Sequence, residues 1–142
     1  MPAAVPELER RRVATEKTLA KFRESAFDWR KRRTCAHLAK YQARMMGRKL
    51  PSVPDFRSPL GAKRALTGMG HDSMIALLDS HLERIAPAMM RLGDLAAVQG
   101  TEGMDSVMVS AGNGKLFGWR EDAEQMVMLA VTLDEIDAAW RL

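Results

Sequence analysis

The chain has 142 residues, 46% apolar and 28% charged, an ordinary balance for one globular domain whose core needs no staples. Its only cysteine, Cys35, excludes an internal disulfide, and no Cys/His cluster has zinc-site spacing, so neither metal nor cofactor is expected. The net charge is +4, no apolar run approaches the length of a membrane span, and the N-terminal residues Met1 to Glu7 lack a secretory signal's apolar core, which points to synthesis in the cytoplasm.

Residues 6 to 25 read as a helix, with Pro6 and Glu7 in its first turn and a thin apolar stripe of Leu8, Val13, Leu19 and Phe22. So charged a helix is expected at the periphery, which divides the chain into an N-terminal helix, 1–25, and a domain, 26–142. The basic runs Arg10–Arg12 and Arg30–Arg33 hold most of the positive excess. Aromatic residues are only 6% of the chain and do not interleave with these runs, so nucleic acid is not an expected partner. A solvated face or a protein partner explains such runs better.

Phe27 and Trp29 anchor the turn into a second helix that opens at Cys35. Thr34 is a suitable N-cap and Gly47 suits a left-handed terminus. Cys35, Leu38, Ala39, Gln42, Met45 and Met46 recur at helical spacing, which puts the cysteine at the start of a buried stripe. A thiol at a helix N-terminus behind Arg30–Arg33 is placed to favour the thiolate. The plainer alternative is a small buried hydrophobe.

A loop with Pro51 and Pro54 follows. Ser58-Pro59 opens a short helix toward Thr67, and Gly68 to Asp72 breaks it. A further helix is expected from about Asp72 to Arg84, with Met74, Leu77, Leu78 and Leu82 inward and Pro87 closing it. From Gly93 the texture changes to four β-favouring runs, 94–99, 106–111, 115–119 and 126–131, with Gly112-Asn-Gly as a tight-hairpin signal. Thr132-Leu-Asp-Glu135 has the form of a capping box and predicts a short C-terminal helix carrying Ile136, Ala139 and Trp140. Helices followed by an antiparallel sheet or open barrel make the class α+β. Methionine is abundant, at 11 residues, which suits irregular cores and adaptable contact surfaces alike.

Three stretches carry a family resemblance: Thr34-Cys35-Ala36, Gly93-Asp94-Leu95 and Ser106 to Gly114. In this order they resemble the NlpC-type cell-wall cysteine peptidases, papain-like enzymes acting on peptidoglycan peptides. In length and in the ending Trp140-Arg141-Leu142 the chain resembles more closely a group of phage and prophage tail-associated proteins of unknown function related to them. The resemblance implies N-terminal helices including a nucleophile helix, then a small antiparallel sheet or open barrel and a short C-terminal helix. It also implies a catalytic Cys35 and a histidine at the start of the second β run, where this chain has Asp105 and Ser106. A polar orienting residue is implied near 117–119, where Phe-Gly-Trp stands.

Of the three histidines, His37 points to another face of the Cys35 helix, His81 lies on an exposed helix, and His71 is the best stand-in base. A thiol without a base neither ionises readily nor protonates a leaving amine. The expectation is therefore a degenerate, non-enzymatic scaffold serving as a structural component of a phage or phage-derived tail tip. Its partners would be hub or distal tail proteins, with peptidoglycan as the ligand that the family implies. It would be made in the host cytoplasm and then built into the virion tail. The alternative is an active peptidase or amidase with Cys35 as nucleophile, assisting DNA delivery.

Overall fold

The computed structural model describes residues 6–51, 57–100, 105–119 and 125–142. Four helices come first: α1 (Glu7–Phe22), α2 (Cys35–Met45), α3 (Pro59–Gly68) and α4 (Met74–His81). The strands β1 (Glu83–Ile85), β2 (Leu95–Gln99), β3 (Asp105–Gly112), β4 (Lys115–Gly118), β5 (Val127–Ala130) and β6 (Ile136–Arg141) form an antiparallel sheet in the order β1-β6-β2-β3-β4-β5. The α+β expectation holds.

Local chemistry sets most of the element ends. The Ser58 hydroxyl accepts from Gly61 N at 3.0 Å with Pro59 in the first turn, and Ser73 caps α4 by accepting from Ala76 N at 3.0 Å. Gly47, at φ 79°, closes α2. Gly112, Asn113 and Gly114 all have positive φ and turn β3 into β4. Thr34 departs from expectation. It is extended as a cap should be, but its Oγ1 pairs with His37 Nδ1 at 2.8 Å and caps no backbone N–H. Of the expected Pro51–Pro54 loop, residues 52–56 lie outside the described residues.

The apolar stripe read on α1 is buried only at its C-terminal end, where Phe22 enters the core and Leu19 packs against it. Leu8 is 69% exposed and Val13 38%, whereas Arg11, Ala14, Thr15, Thr18 and Phe22 are buried. The reason is a polar counterface. Arg11 Nη1 donates to Asp94 Oδ1 at 2.9 Å and to Leu92 O at 3.0 Å, while Gln42 Nε2 donates to Thr15 Oγ1 at 3.3 Å and to Gly93 O at 3.1 Å. The neighbouring arginines are also engaged, Arg10 with Met46 O and Arg12 with Glu9 and Glu16.

The C-terminal helix is replaced by a strand. The capping box forms, with Glu135 Oε1 accepting from both Thr132 N and Thr132 Oγ1, but it closes only one 3-10 turn, Leu133–Glu135. Ile136–Arg141 then pairs with β1 on one side and β2 on the other. The helix expected up to Arg84 ends at His81 for the same reason, because the backbone of 83–85 pairs with 139–141 of β6. Pairing across the sheet outweighs local helical preference here.

Alternation along the strands gives the sheet two apolar faces. Leu95, Ala97, Val107, Val109, Phe117 and Trp140 meet the helices, among them Phe22 and Leu38. Ala96, Met108, Leu116 and Ile136 form a smaller cluster on the other face. Phe22 stands edge-on to both Tyr41 and Trp119, with centroids 5.5 Å apart in each pair.

Candidate functional site

The first turn of α2 lies against the start of β3, held there by Leu38 and Ala39 packing in the cluster that contains Val107 and Val109. This docking puts Cys35 and Asp105 together: the half-buried thiol donates toward the Asp105 carbonyl oxygen at 3.9 Å. Burial pushes the Cys35 thiol up, and the nearby Asp105 carboxylate adds to the rise. Backbone N–H groups of Val107, Ala36 and Cys35 act in the opposite sense but do not prevail. The expected thiolate is therefore disfavoured.

The arginines ahead of the helix do not reverse this. Arg33 Nε donates to Ser25 Oγ and its guanidinium lies over the Phe22 ring, 5.1 Å from the centroid. Arg30 and Lys31 are exposed, with their backbone N–H groups on the Asp28 carboxylate.

Two positions stood for the base that the resemblance implies. Asp105 shares the helix-facing side of β3 with Val107 and Val109 by strand alternation. Ser106 takes the opposite side, where its hydroxyl donates to Trp119 O at 3.3 Å. The residue across from the thiol is thus a carboxylic acid. Its pKa is raised by partial burial and by the Asp137 carboxylate. Asp137 was not foreseen, because it reaches this neighbourhood only through β6.

The position of the orienting residue is apolar. Trp119 follows β4, is 1% exposed, and spends its indole N–H on Ser25 O at 2.8 Å. Its ring meets Phe22 and Phe27 edge-on.

The histidines are distributed elsewhere. His37 shares the first turn with Cys35 and its Nδ1 is taken up by Thr34. His71 sits just past α3, its N–H bonded to Leu66 O at 2.9 Å, lining an open cleft with Thr67, Gly70, Asp72 and Ala76. No hydrogen bond joins His71 to Cys35 among the described residues. His81 is exposed at the end of α4. Among the described residues no imidazole is hydrogen-bonded to Cys35, the arrangement that would ionise the thiol and protonate a leaving amine.

Asp94, in the Gly-Asp-Leu stretch, organises a different centre. Its buried carboxylate accepts from Arg91 N at 2.8 Å, from Leu142 N at 3.0 Å and from Arg11, with Arg141 Nη1 3.2 Å away. The contact with Arg141 meets the distance of an ion pair but not the angles of a hydrogen bond, so it counts as charge attraction only. This hub ties α1, β2 and β6 together; its sequence signal was the Gly-Asp pair ahead of a β run.

The fold is similar to that of solved NlpC/p60 domains. RipD from Mycobacterium tuberculosis, described as a non-catalytic NlpC/p60 domain protein adapted to peptidoglycan binding, superposes with a TM-score of 0.60 at 18% identity over 94% of this chain and 97% of its own. The P60 domain of antigen MAP1272c from M. avium paratuberculosis gives 0.54 at 20% identity, over 94% and 96%. A mutated form of the resuscitation promoting factor interacting protein RipA gives 0.59 at 15% identity, over 96% of this chain and 65% of that one. Identities this low establish the fold, which is that of NlpC/p60 domains. No curated protein matches the chain. Residues 7–142 match the model of the family described as a domain of unknown function, DUF6950, and the chain belongs to that family.

Proposed function

We propose that this protein is a non-hydrolytic member of the NlpC/p60 fold that serves as a structural component of a phage or phage-derived tail tip. One observation supports the loss of catalysis: Cys35 opens α2 with its thiol on the Asp105 carbonyl oxygen rather than on an imidazole, where burial raises its pKa. The tail-tip assignment is supported by the likeness of the sequence to phage tail-associated proteins. In this reading the chain is made in the host cytoplasm, joins hub or distal tail proteins, and remains in the virion.

Incubating the purified protein with muropeptides tests the first half. No cleavage is expected, and a product that disappears in Cys35→Ala would overturn the proposal. Co-expression with the genes on either side tests the second. A stable complex with tail-tip proteins supports it, and neighbours unrelated to a tail would remove it.

RipD's description favours one further reading, in which the scaffold binds peptidoglycan without cutting it. Co-sedimentation with purified cell-wall sacculi checks this directly, and protein left in the supernatant argues against it.

A further inference from the structure

Charge is segregated along this chain more sharply than its net value suggests. Residues 29–54 carry eight cationic side chains and no acidic one, whereas residues 125–140 carry three acidic side chains and no cationic one. The fold turns the first segment into a surface. Lys40 and Arg44 lie exposed on α2, and Arg48 follows just past its end, with none of the three in an ion pair among the described residues. α3, which has no acidic residue, packs its Ala62 and Ala65 against Ala36, one turn before Lys40. It adds the exposed Arg64 and, one turn earlier, Leu60, which is 58% exposed.

The acidic segment has the complementary character. Asp134 is exposed in the turn between β5 and β6 and Asp137 near the start of β6, and the same stretch shows solvent Met128 (51%) on the outermost strand β5 and Leu133 (56%). Each surface thus combines one sign of charge with an unburied apolar side chain. By contrast, two arginines of α1 are ion-paired within this chain, Arg12 with Glu9 and Glu16 and Arg11 with Glu7 and Asp94.

We infer that the basic face of α2 and α3 docks the acidic 127–137 stretch of a second copy of this chain. Opposite potentials steer and register such a contact, and the apolar side chains at its centre supply burial. Because the two surfaces are different, the contact is heterologous and generates a ring or a stack of copies. A single-stranded nucleic acid is the weaker occupant, since among the described residues no exposed aromatic ring accompanies the cations. Self-association through these surfaces does not depend on whether Cys35 is chemically active, so the two proposals fail independently.

Sedimentation velocity at about 50 mM and about 500 mM salt provides the test, because surface charge attraction is screened at the higher value. Concentration-dependent oligomers are expected at low salt, with an association constant at least roughly tenfold weaker at high salt. The triple variant Lys40→Glu/Arg44→Glu/Arg48→Glu and the double variant Asp134→Lys/Asp137→Lys should each be monomeric, with circular dichroism unchanged. Mixing these two charge-reversed proteins should restore association, since each then offers what the other lacks. A wild-type monomer at low salt, or oligomers indifferent to both reversals, overturns the inference. So does a monomer that instead binds duplex DNA through Lys40, Arg44 and Arg48.

Discussion

The Arg11 guanidinium and the Asp94 carboxylate, 83 positions apart, form a 2.9 Å ion pair with both side chains buried. Removing either partner leaves the other charge desolvated and unpaired. Arg11→Ala or Asp94→Ala is expected to destabilise the fold by about 3–5 kcal/mol, measured by urea denaturation. A loss below about 1 kcal/mol would mean that water reaches the hub.

Gly93 is the second position where the hub has no tolerance. Its φ is 91°, and a Cβ there would lie 2.9 Å from Thr15 Oγ1 and 3.1 Å from Gln42 Nε2. Gly93→Ala combines backbone strain with a clash and should cost about 1–3 kcal/mol by the same measurement. Gly47→Ala meets no neighbouring atom, so it isolates the backbone contribution alone.

The buried thiol should be sluggish. Iodoacetamide at neutral pH is expected to modify folded Cys35 at least about tenfold more slowly than the urea-unfolded chain, with a rate midpoint above the ordinary thiol pKa of about 8.5. Because the folded pKa is the raised one, the unfolded chain loses its proton first as pH rises. Stability linked to Cys35 is therefore intact below the ordinary thiol pKa and declines above it. Cys35→Ala should abolish that alkaline decline.

Asp105 titrates with the same sign at the acid end. Its raised pKa means that stability linked to it is present below the ordinary carboxylate range and is lost as pH climbs through the folded value. Asp105→Asn should consequently gain over the wild type at neutral pH and lose that gain near about pH 3. Solvent screening keeps the gain within about 0.5 kcal/mol. A neutral-pH loss in the variant would show that the charged carboxylate is held by a favourable contact.

Replacing Asp105 by histidine places an imidazole on the strand position that faces the thiol. Asp105→His should raise the alkylation rate of Cys35 at neutral pH by roughly tenfold or more, since an adjacent base generates thiolate. An unchanged rate would place the ring out of reach of the sulfur.

The parts of this fold that were legible in the sequence are those fixed by short-range chemistry. Ser58-Pro59 opens α3, Gly47 ends α2 and Gly112-Asn-Gly turns the β3–β4 hairpin, each through geometry that a few residues impose on themselves. What was illegible depends on distant partners. The buried face of α1 mixes Ala14 and Phe22 with Arg11 and Thr15, which meet Asp94 and Gln42, so hydropathy points to Leu8 and Val13 as well and misses the polar half. The capping box at Thr132 is real, yet one turn satisfies it before β1 and β2 capture the following residues as a strand. At the site, the pairing of Cys35 with the start of β3 followed from the family resemblance. The protonation state of the thiol did not, because burial against β3 outweighs the backbone N–H groups at the head of α2.

The position of β6 also sets an order of assembly. It is the last of the six strands along the chain, yet it separates β1 from β2. Before Ile136–Arg141 docks, Glu83–Ile85 lacks the strand it pairs with and β2 keeps one open edge. A chain in which that last strand has not yet docked therefore presents an unpaired sheet edge, the feature that invites wrong strand pairing.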